Sequence, residues 1–373
     1  MRQGDRYERD AAQITVKVRG KTFEGWLQSE VTRDIEAICG TFSIPVTLVP
    51  GSPPEIERQD EVEVFIGATK VITGYVLGAE PFYTRQDCGM RIVGRDRTGD
   101  LVRASAVHKG GQWRGAKLDR IARDLVSAYG IQVKVDADVG AAIGDFKLYH
   151  GETVLAALSR AARLRGLLVT RDNDGRLLLT KAGVKRFAGS IVRGTNVISM
   201  EGVGSDEMRA SEYIVYGQAN SVDDFEYARG LKAAAKDPEI KRHMPLVINA
   251  DGNTTQAELE ALVRHTVRVR RGHAYGIKYV VEGWTWKGEA WPVNERVAIF
   301  DDVAGMDGTE WLIASVRQSC SRQEGDVTEL VVRPVEAYDT VPLQSKPKRR
   351  HWGNAGNRTN HPRGPRDKSR GGY

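Results

Sequence analysis

The amino-acid sequence predicts a mainly β protein with α+β insertions, built as two small antiparallel β-barrel domains plus two smaller α+β domains. Three observations predict it. Between Asp60 and Ala106, Val62, Val64 and Ile66 alternate with Glu61, Glu63 and Phe65, and Cys88, Met90 and Ile92 alternate with Gly89, Arg91 and Val93. That period of two marks half-buried strands. Around Leu118–Val126 and Val154–Ala162 the apolar spacing becomes helical. Finally, 40 glycines and a mean hydropathy of −0.41 suit a turn-rich, water-facing chain. At 373 residues the chain exceeds one core of ordinary size, so about two to four domains are expected.

The first barrel domain is expected over residues 12–100. Ile14 to Val18 alternates, Arg19-Gly20-Lys21 makes a hairpin turn, and Thr22 to Leu27 returns. Val31 to Ala37 and Gly40 to Leu48 are the next strands, and Pro45 puts the latter at an edge or bulge because it has no N–H to donate. Pro50-Gly51-Ser52-Pro53-Pro54 is an open loop. The meander of Val62–Ile66, Val71–Leu77 and Cys88–Val93 follows, with Gly74 marking a bulge or sharp bend.

An α+β domain is expected over 101–185 as helix, strand, helix and hairpin. Leu118, Ile121, Ala122, Leu125 and Val126 share a helix face that Gly130 ends in a left-handed cap. Ile131–Val135 is a strand. Val154, Leu155, Leu158, Ala161 and Ala162 form a second stripe, stopped by Gly166. Leu167–Thr170 and Leu177–Lys181 pair over the turn Asp172-Asn173-Asp174-Gly175. The second barrel is expected to be split between residues 186–225 and 276–340, around a helical or α+β insertion at 226–275. Val197–Met200 and Glu212–Gly217 supply strands before the insertion; Gly276–Trp284, Arg296–Asp301, Glu310–Gln318 and Thr328–Val335 supply four after it. Asp223 to Pro245 reads as a polar surface excursion. Thr255-Gln256-Ala257-Glu258 fits a capping box opening a helix that buries Leu259, Leu262, Val263 and Thr266 and ends near Gly272. No internal repeat can be asserted from the residues.

Charge is unevenly placed. From Leu343 to Tyr373 there are nine Lys and Arg against the single acid Asp367, a net +8, so the +6 of the whole chain leaves −2 for residues 1–342. The basic segment 341–373 is almost free of apolar residues and is expected to be a disordered tail. A nucleic-acid reading of the basicity therefore applies to the tail alone. The first residues, MRQGDRYERDAA, contain no apolar core for a secretory signal. No apolar run reaches the ~18 residues of a membrane helix, so no membrane insertion is expected. Cys39, Cys88 and Cys320, odd in number and far apart, fit buried structural thiols in a reducing compartment.

Catalytic chemistry finds no foothold. His108, His150, His243, His265, His273, His351 and His361 are scattered without HExxH or CxxC, which argues against zinc. Asp301, Asp302 and Asp307 near Gly305 and Gly308 miss calcium-loop spacing and read as an acidic hairpin turn. Gly202-Val203-Gly204 lacks the further glycine of a phosphate loop. Trp284, Trp286 and Trp291 could form a stacking platform for sugars or bases. Packing in a core and at its rim, with indole N–H groups bonded to backbone, is the better reading, since alternation puts Trp284 and Trp286 on one strand face. No catalytic, cofactor-binding or metal residue is assigned, and no cofactor is expected.

Several short motifs occur in a telling order: Val18-Arg19-Gly20-Lys21 through Gly25-Trp26, Gly40-Thr41-Phe42 to Val49, Gly67 to Gly74-Tyr75, and Gly94-Arg95-Asp96-Arg97-Thr98-Gly99-Asp100-Leu101-Val102 to Ser105-Ala106. Gly283-Trp284, Gly288-Glu289-Ala290-Trp291, Trp311-Leu312-Ile313 and Pro334-Val335-Glu336-Ala337-Tyr338 follow. In this order and spacing, over about residues 12–340, the chain resembles the Mu-like tail protein P family, the baseplate hub of contractile-tailed bacteriophages and related injection machines. The resemblance implies a homotrimer whose two barrels per chain make a ring of six. Such a ring joins the six-fold tail tube to the three-fold spike and lets DNA pass. The implied partners are the central spike protein, the tail tube or tube-initiator, and other baseplate proteins. DNA would cross the lumen without specific binding, which a near-neutral body suits. The implied location is the virion tail baseplate, assembled in the host cytoplasm. Two rival readings are a hub-associated peptidoglycan hydrolase, for which the segments are short and unmarked, and a nucleic-acid-binding protein acting through the basic tail.

Overall fold

The structure, a computed structural model, describes residues 13–24, 28–47, 56–83, 85, 88–218, 231–253, 256–321 and 325–338. The chain opens with β1 (Ile14–Val18), β2 (Lys21–Phe23), β3 (Ser29–Asp34), β4 (Thr41–Thr47), β5 (Glu61–Ile66), β6 (Thr69–Tyr83) and β7 (Cys88–Asp96). They lie side by side as β2-β1-β5-β6-β7-β4-β3, every pair antiparallel. Alternation decides which face is buried: Val62, Val64 and Ile66 meet Ile14, Val16 and Val18 in one core. Arg19 and Gly20 take positive φ at the first hairpin, as the sequence predicts. Pro45 costs nothing because the β3 ladder ends at Ser43. Gly74 marks no bulge; a Cβ there would sit 1.9 Å from the Arg95 carbonyl oxygen, so the glycine permits a close backbone approach.

Next come the short helix α1 (Asp100–Arg103), β8 (Gln112–Ala116), α2 (Leu118–Val126), β9 (Val133–Val135), β10 (Ile143–Lys147), α3 (Val154–Arg163), β11 (Leu168–Arg171) and β12 (Leu177–Thr180). α2 buries the whole predicted stripe, and α3 buries Val154, Leu158, Ala161 and Ala162 with Ala157 in place of the half-buried Leu155; α3 is capped by the Thr153 hydroxyl accepting from Ala156 N at 3.2 Å. The antiparallel pair of β8 and β10, which are separated in the chain by α2 and β9, is an addition to the predicted order, its strands too short and polar to stand out.

The third stretch contains β13 (Lys185–Val192), β14 (Val197–Gly202), β15 (Glu212–Gln218), β16 (Lys232–Lys236), β17 (Pro245–Asn253), α4 (Gln256–His273), β18 (Ile277–Glu282), β19 (Thr285–Trp286), β20 (Glu289–Ala290), β21 (Glu295–Asp301), β22 (Met306–Ser321) and β23 (Gly325–Arg333). Two expectations need correction here. β15, expected in the split barrel, pairs instead with β16 and β17 in a separate three-stranded sheet against α4. The described part of the polar excursion supplies β16 and β17, because Ala233 is small enough to bury where its neighbours Lys232 and Lys236 stay out. Residues of the expected capping box before Gln256, the loop 50–54 and the tail 341–373 lie outside the described residues.

The remaining strands run β14-β18-β23-β22, with β21 on the other half of β22 and β13 beyond it. This arrangement repeats the first one. In chain order β1, β3, β4, β5, β6, β7 correspond to β13, β14, β18, β21, β22, β23, and the spatial order 1-5-6-7-4-3 becomes 13-21-22-23-18-14. The irregularities repeat too. The shift at Val64/Phe65 against β6 recurs at Ile299/Phe300 against β22, and that at Val76/Gly78 against β7 recurs at Ile313/Ser315 against β23. Bulges fix register and twist, so matching positions mean matching shape. The sets differ at one edge, where β1 runs antiparallel to β5 but β13 parallel to β21. The fold class is thus mainly β, as expected. Among the described residues neither set closes its ladder on itself. No described helix is long and apolar enough to cross a membrane.

Candidate assembly interface

The described residues contain no group of His, Cys, Asp and Glu able to hold a metal. Several of the residues weighed for chemistry have structural roles. Asp301 is buried at the β21–β22 turn and accepts from Val303 N at 2.9 Å and from the Tyr279 hydroxyl at 3.1 Å, the acidic hairpin turn the sequence predicts. Trp284 and Trp291 are buried, but in different cores: Trp284 with β1–β7, Trp291 with β13 and β21–β23. Trp284 Nε1 donates to the Ser319 carbonyl at 2.9 Å, whereas Trp291 Nε1 finds no partner among the described residues, so of these two indoles the first follows the expectation and the second does not. Cys39 and Cys320 are half-buried and none of the three cysteines is in a disulfide; Cys88 is exposed, against the expectation of burial, because it opens β7 near the tip of a long hairpin. Val203 bonds to Gly276, continuing the β14–β18 ladder, which accounts for Gly202-Val203-Gly204 without a ligand.

Two polar nodes hold the parts together. In the first, Asp96 is buried where three segments meet: it accepts from Gly40 N at 2.6 Å and Thr73 N at 3.3 Å and pairs with Arg171 Nε at 2.6 Å. Burial pushes its carboxyl up to about 6 against the pull of Arg171 and the backbone donors, so it is charged at pH 7. Arg171 also donates to the Val71 carbonyl at 2.9 Å, and the Thr73 hydroxyl to the Asn173 carbonyl at 2.8 Å, fastening the β11–β12 hairpin to β6.

The second node lies where β22 meets β3, pairing Ser315–Cys320 with Ser29–Asp34. There Arg33 Nη2 donates to the Trp291 carbonyl at 2.7 Å and to Gln318 Oε1 at 2.9 Å, and Gln318 Nε2 donates to the Trp284 carbonyl at 2.9 Å. Burial and the neighbouring Arg171 lower the Arg33 guanidinium to about 9, still charged at neutral pH. On the surface of the same ladder Arg317 pairs with Glu30 and Glu329 at 2.8 and 2.6 Å. The two repeated sets are therefore one continuous sheet inside the chain.

Open edges complete the picture. β5 accompanies β6 only as far as Tyr75, and from Leu77 to Tyr83 β6 pairs with β7 alone among the described residues. Leu77, Phe82 and Tyr83 are exposed along that arm, Tyr83 at 86%. β14 pairs with β18 and, apart from a single bridge from Val197 to Arg193, with nothing on its outer side among the described residues; Ile198 there is 53% exposed. Unpaired strand edges carrying apolar side chains are ready-made pairing surfaces. Periodicity located these strands, but no residue pattern distinguishes a strand's open side from its paired one.

Comparison with known proteins fits this architecture. Residues 13–96 match the family described as Mu phage baseplate assembly protein GpP-like, N-terminal, and residues 98–181 match baseplate hub protein gp44-like, second domain. The baseplate hub protein gp44 of Escherichia phage Mu is 32% identical over 353 residues, covering 92% of this chain and 93% of that protein. The 43 kDa tail protein of prophage MuSo2 from Shewanella oneidensis superposes with a TM-score of 0.77 at 30% identity, over 88% of this chain and all of that one. A tail protein from Neisseria meningitidis gives 0.76 at 23% identity, over 88% and 98% of the two chains, a likeness of fold.

Proposed function

This chain belongs to the baseplate hub proteins of Mu-like phage tails, and from that premise we propose that it is a trimeric adaptor without catalytic chemistry. Three copies form a ring that joins the six-fold tail tube to the three-fold spike and lets DNA through. The observation that carries this reading is the repeat: one chain holds two β sets of the same strand order with bulges at matching places. Three chains then offer six similar bodies, so a six-fold partner can be met by a three-fold assembly. Each set is read as a barrel completed on assembly, the first over 12–100 and the second over 186–340 without its insertion. The α+β domain at 101–185 and the insertion, taken with β15, are read as separate modules. The relative's name as a baseplate hub protein is consistent with a protein that has no enzymatic activity. The proposed partners are the spike, the tube or its initiator and neighbouring baseplate proteins. Assembly is placed in the host cytoplasm, ahead of incorporation at the virion baseplate.

Size-exclusion chromatography with light scattering tests the reading, alone and mixed with the spike. A mass of three chains supports it. A strict monomer under both conditions removes it. Images down the axis of the purified oligomer should have a three-fold outline with six lobes.

A further inference from the structure

We infer that the ring closes by strand addition between copies, with Ala79–Tyr83 of β6 pairing antiparallel to Met200–Gly204, at and just beyond the end of β14, in the next copy. This rests on the trimeric reading above and specifies its contact. Inside one chain, the second half of β22 pairs with β3. In the repeat, β22 corresponds to β6 and β3 to β14. Among the described residues, the second half of β6 and, beyond the single bridge at Val197, the outer side of β14 are the edges left open. The internal junction therefore uses one edge of each kind, and the described residues of every chain keep one unused edge of each kind. A second copy of this chain is the occupant that fits both.

The register can be carried over. The bulges align Gly78 with Ser315 and Tyr83 with Cys320. The ladders to β4 and β18 align Glu30 with Glu201 and Val31 with Gly202. The internal pairs Ser319–Glu30 and Cys320–Ser29 then become Phe82–Glu201 and Tyr83–Met200 between copies. The 86% exposed Tyr83 gains an apolar neighbour in Met200. Pro81 removes one donor, so the remaining residues of the arm carry the ladder. A head-to-tail contact of this kind closes into a ring of three when each copy is turned by a third of a revolution, as the trimeric reading requires, and otherwise runs on as a filament, whereas a self-complementary one stops at two chains.

Disulfide trapping tests this in the full chain. Tyr83 lies opposite Cys88 within its own hairpin, so the background carries Cys88→Ser. Mild oxidation of the double variant Tyr83→Cys, Met200→Cys should give a reducible covalent trimer. The pair Phe82→Cys, Met200→Cys, one residue out of register, should give at least ten-fold less, since the slip turns the side chains to opposite faces. A covalent product that stops at two chains overturns the head-to-tail arrangement. Hydrogen exchange on the unsubstituted protein decides independently of any variant. At least ten-fold slower exchange of amides within 79–83 and 200–204 in the trimer than in dilute monomer supports the pairing. Unchanged exchange in a protein that light scattering finds trimeric overturns this contact and leaves the ring reading standing. A protein that never trimerises overturns the ring reading itself.

Discussion

Asp96 sits 0% exposed between Gly40, Thr73 and Arg171, and its carboxylate answers three donors from separate segments. Asp96→Ala leaves the buried Arg171 guanidinium without its anion and two backbone N–H groups without an acceptor. Such a break costs about 3–5 kcal/mol, and the urea midpoint should fall accordingly. His265 on α4 behaves differently. Burial, together with Arg268 and Arg163, holds its imidazole down at about 4, well below its ordinary 6.5. The folded protein thus resists the proton that the unfolded chain accepts. The stabilising contribution is full above about pH 6.5, shrinks as the pH falls, and is gone below about 4. Allowing for partial solvent contact, roughly 2 kcal/mol is at stake. Urea titrations at pH 7 and 4.5 should lose less stability between the two pH values for His265→Gln than for the natural chain.

At the scale of elements, the β3–β22 ladder depends on one buried amide. Gln318 accepts from Arg33 and donates to the Trp284 carbonyl. Gln318→Ala leaves both unmet, a cost of about 2–3 kcal/mol, read as a lower urea midpoint. A second dependence joins α4 to the segment after β23. A Cβ on Gly272 would sit 2.1 Å from Ala337 Cα. Gly272→Ala should therefore cost about 1–3 kcal/mol and free Tyr338 from Glu36, to which its hydroxyl donates at 2.5 Å; faster amide exchange at 335–338 would report it. Periodicity makes α2, α3 and the β5–β7 meander legible because each buries one face at a regular spacing. β16 hides because Lys-Ala-Ala-Ala-Lys looks solvated, and only α4 above Ala233 makes it a strand. The repeat hides for another reason. Val62, Val64 and Phe65 do correspond to Val297, Ile299 and Phe300, but β6 and β22 share bulge positions rather than residues. The polar nodes are out of reach because Asp96 and Arg171, or Arg33 and Gln318, meet only after folding.

For the whole molecule, symmetry follows from what is repeated and what is not. The β set occurs twice per chain; the α2–α3 module and the β15–β17–α4 module each occur once. In a trimer the β bodies would number six and the other modules three of each. The two single modules also lie together, β10 against β17 and Arg163 close enough to act on His265. On the proposed reading they form the three-fold layer facing the spike, and the bare β bodies face the tube. The insertion can be removed to test this, because Val203 N donates to the Gly276 carbonyl at 2.9 Å, so its ends are already adjacent. Replacing residues 206–273 by a short Gly/Ser turn would leave β14 and β18 as a hairpin, as β3 and β4 are. Lost contacts to Ala337 and Tyr338 should lower stability. The edges proposed to close the ring survive, so light scattering should still give three chains, while co-elution with the spike should disappear. A shortened trimer that still binds the spike as tightly would mean that the six-body face, and not the single modules, makes that contact.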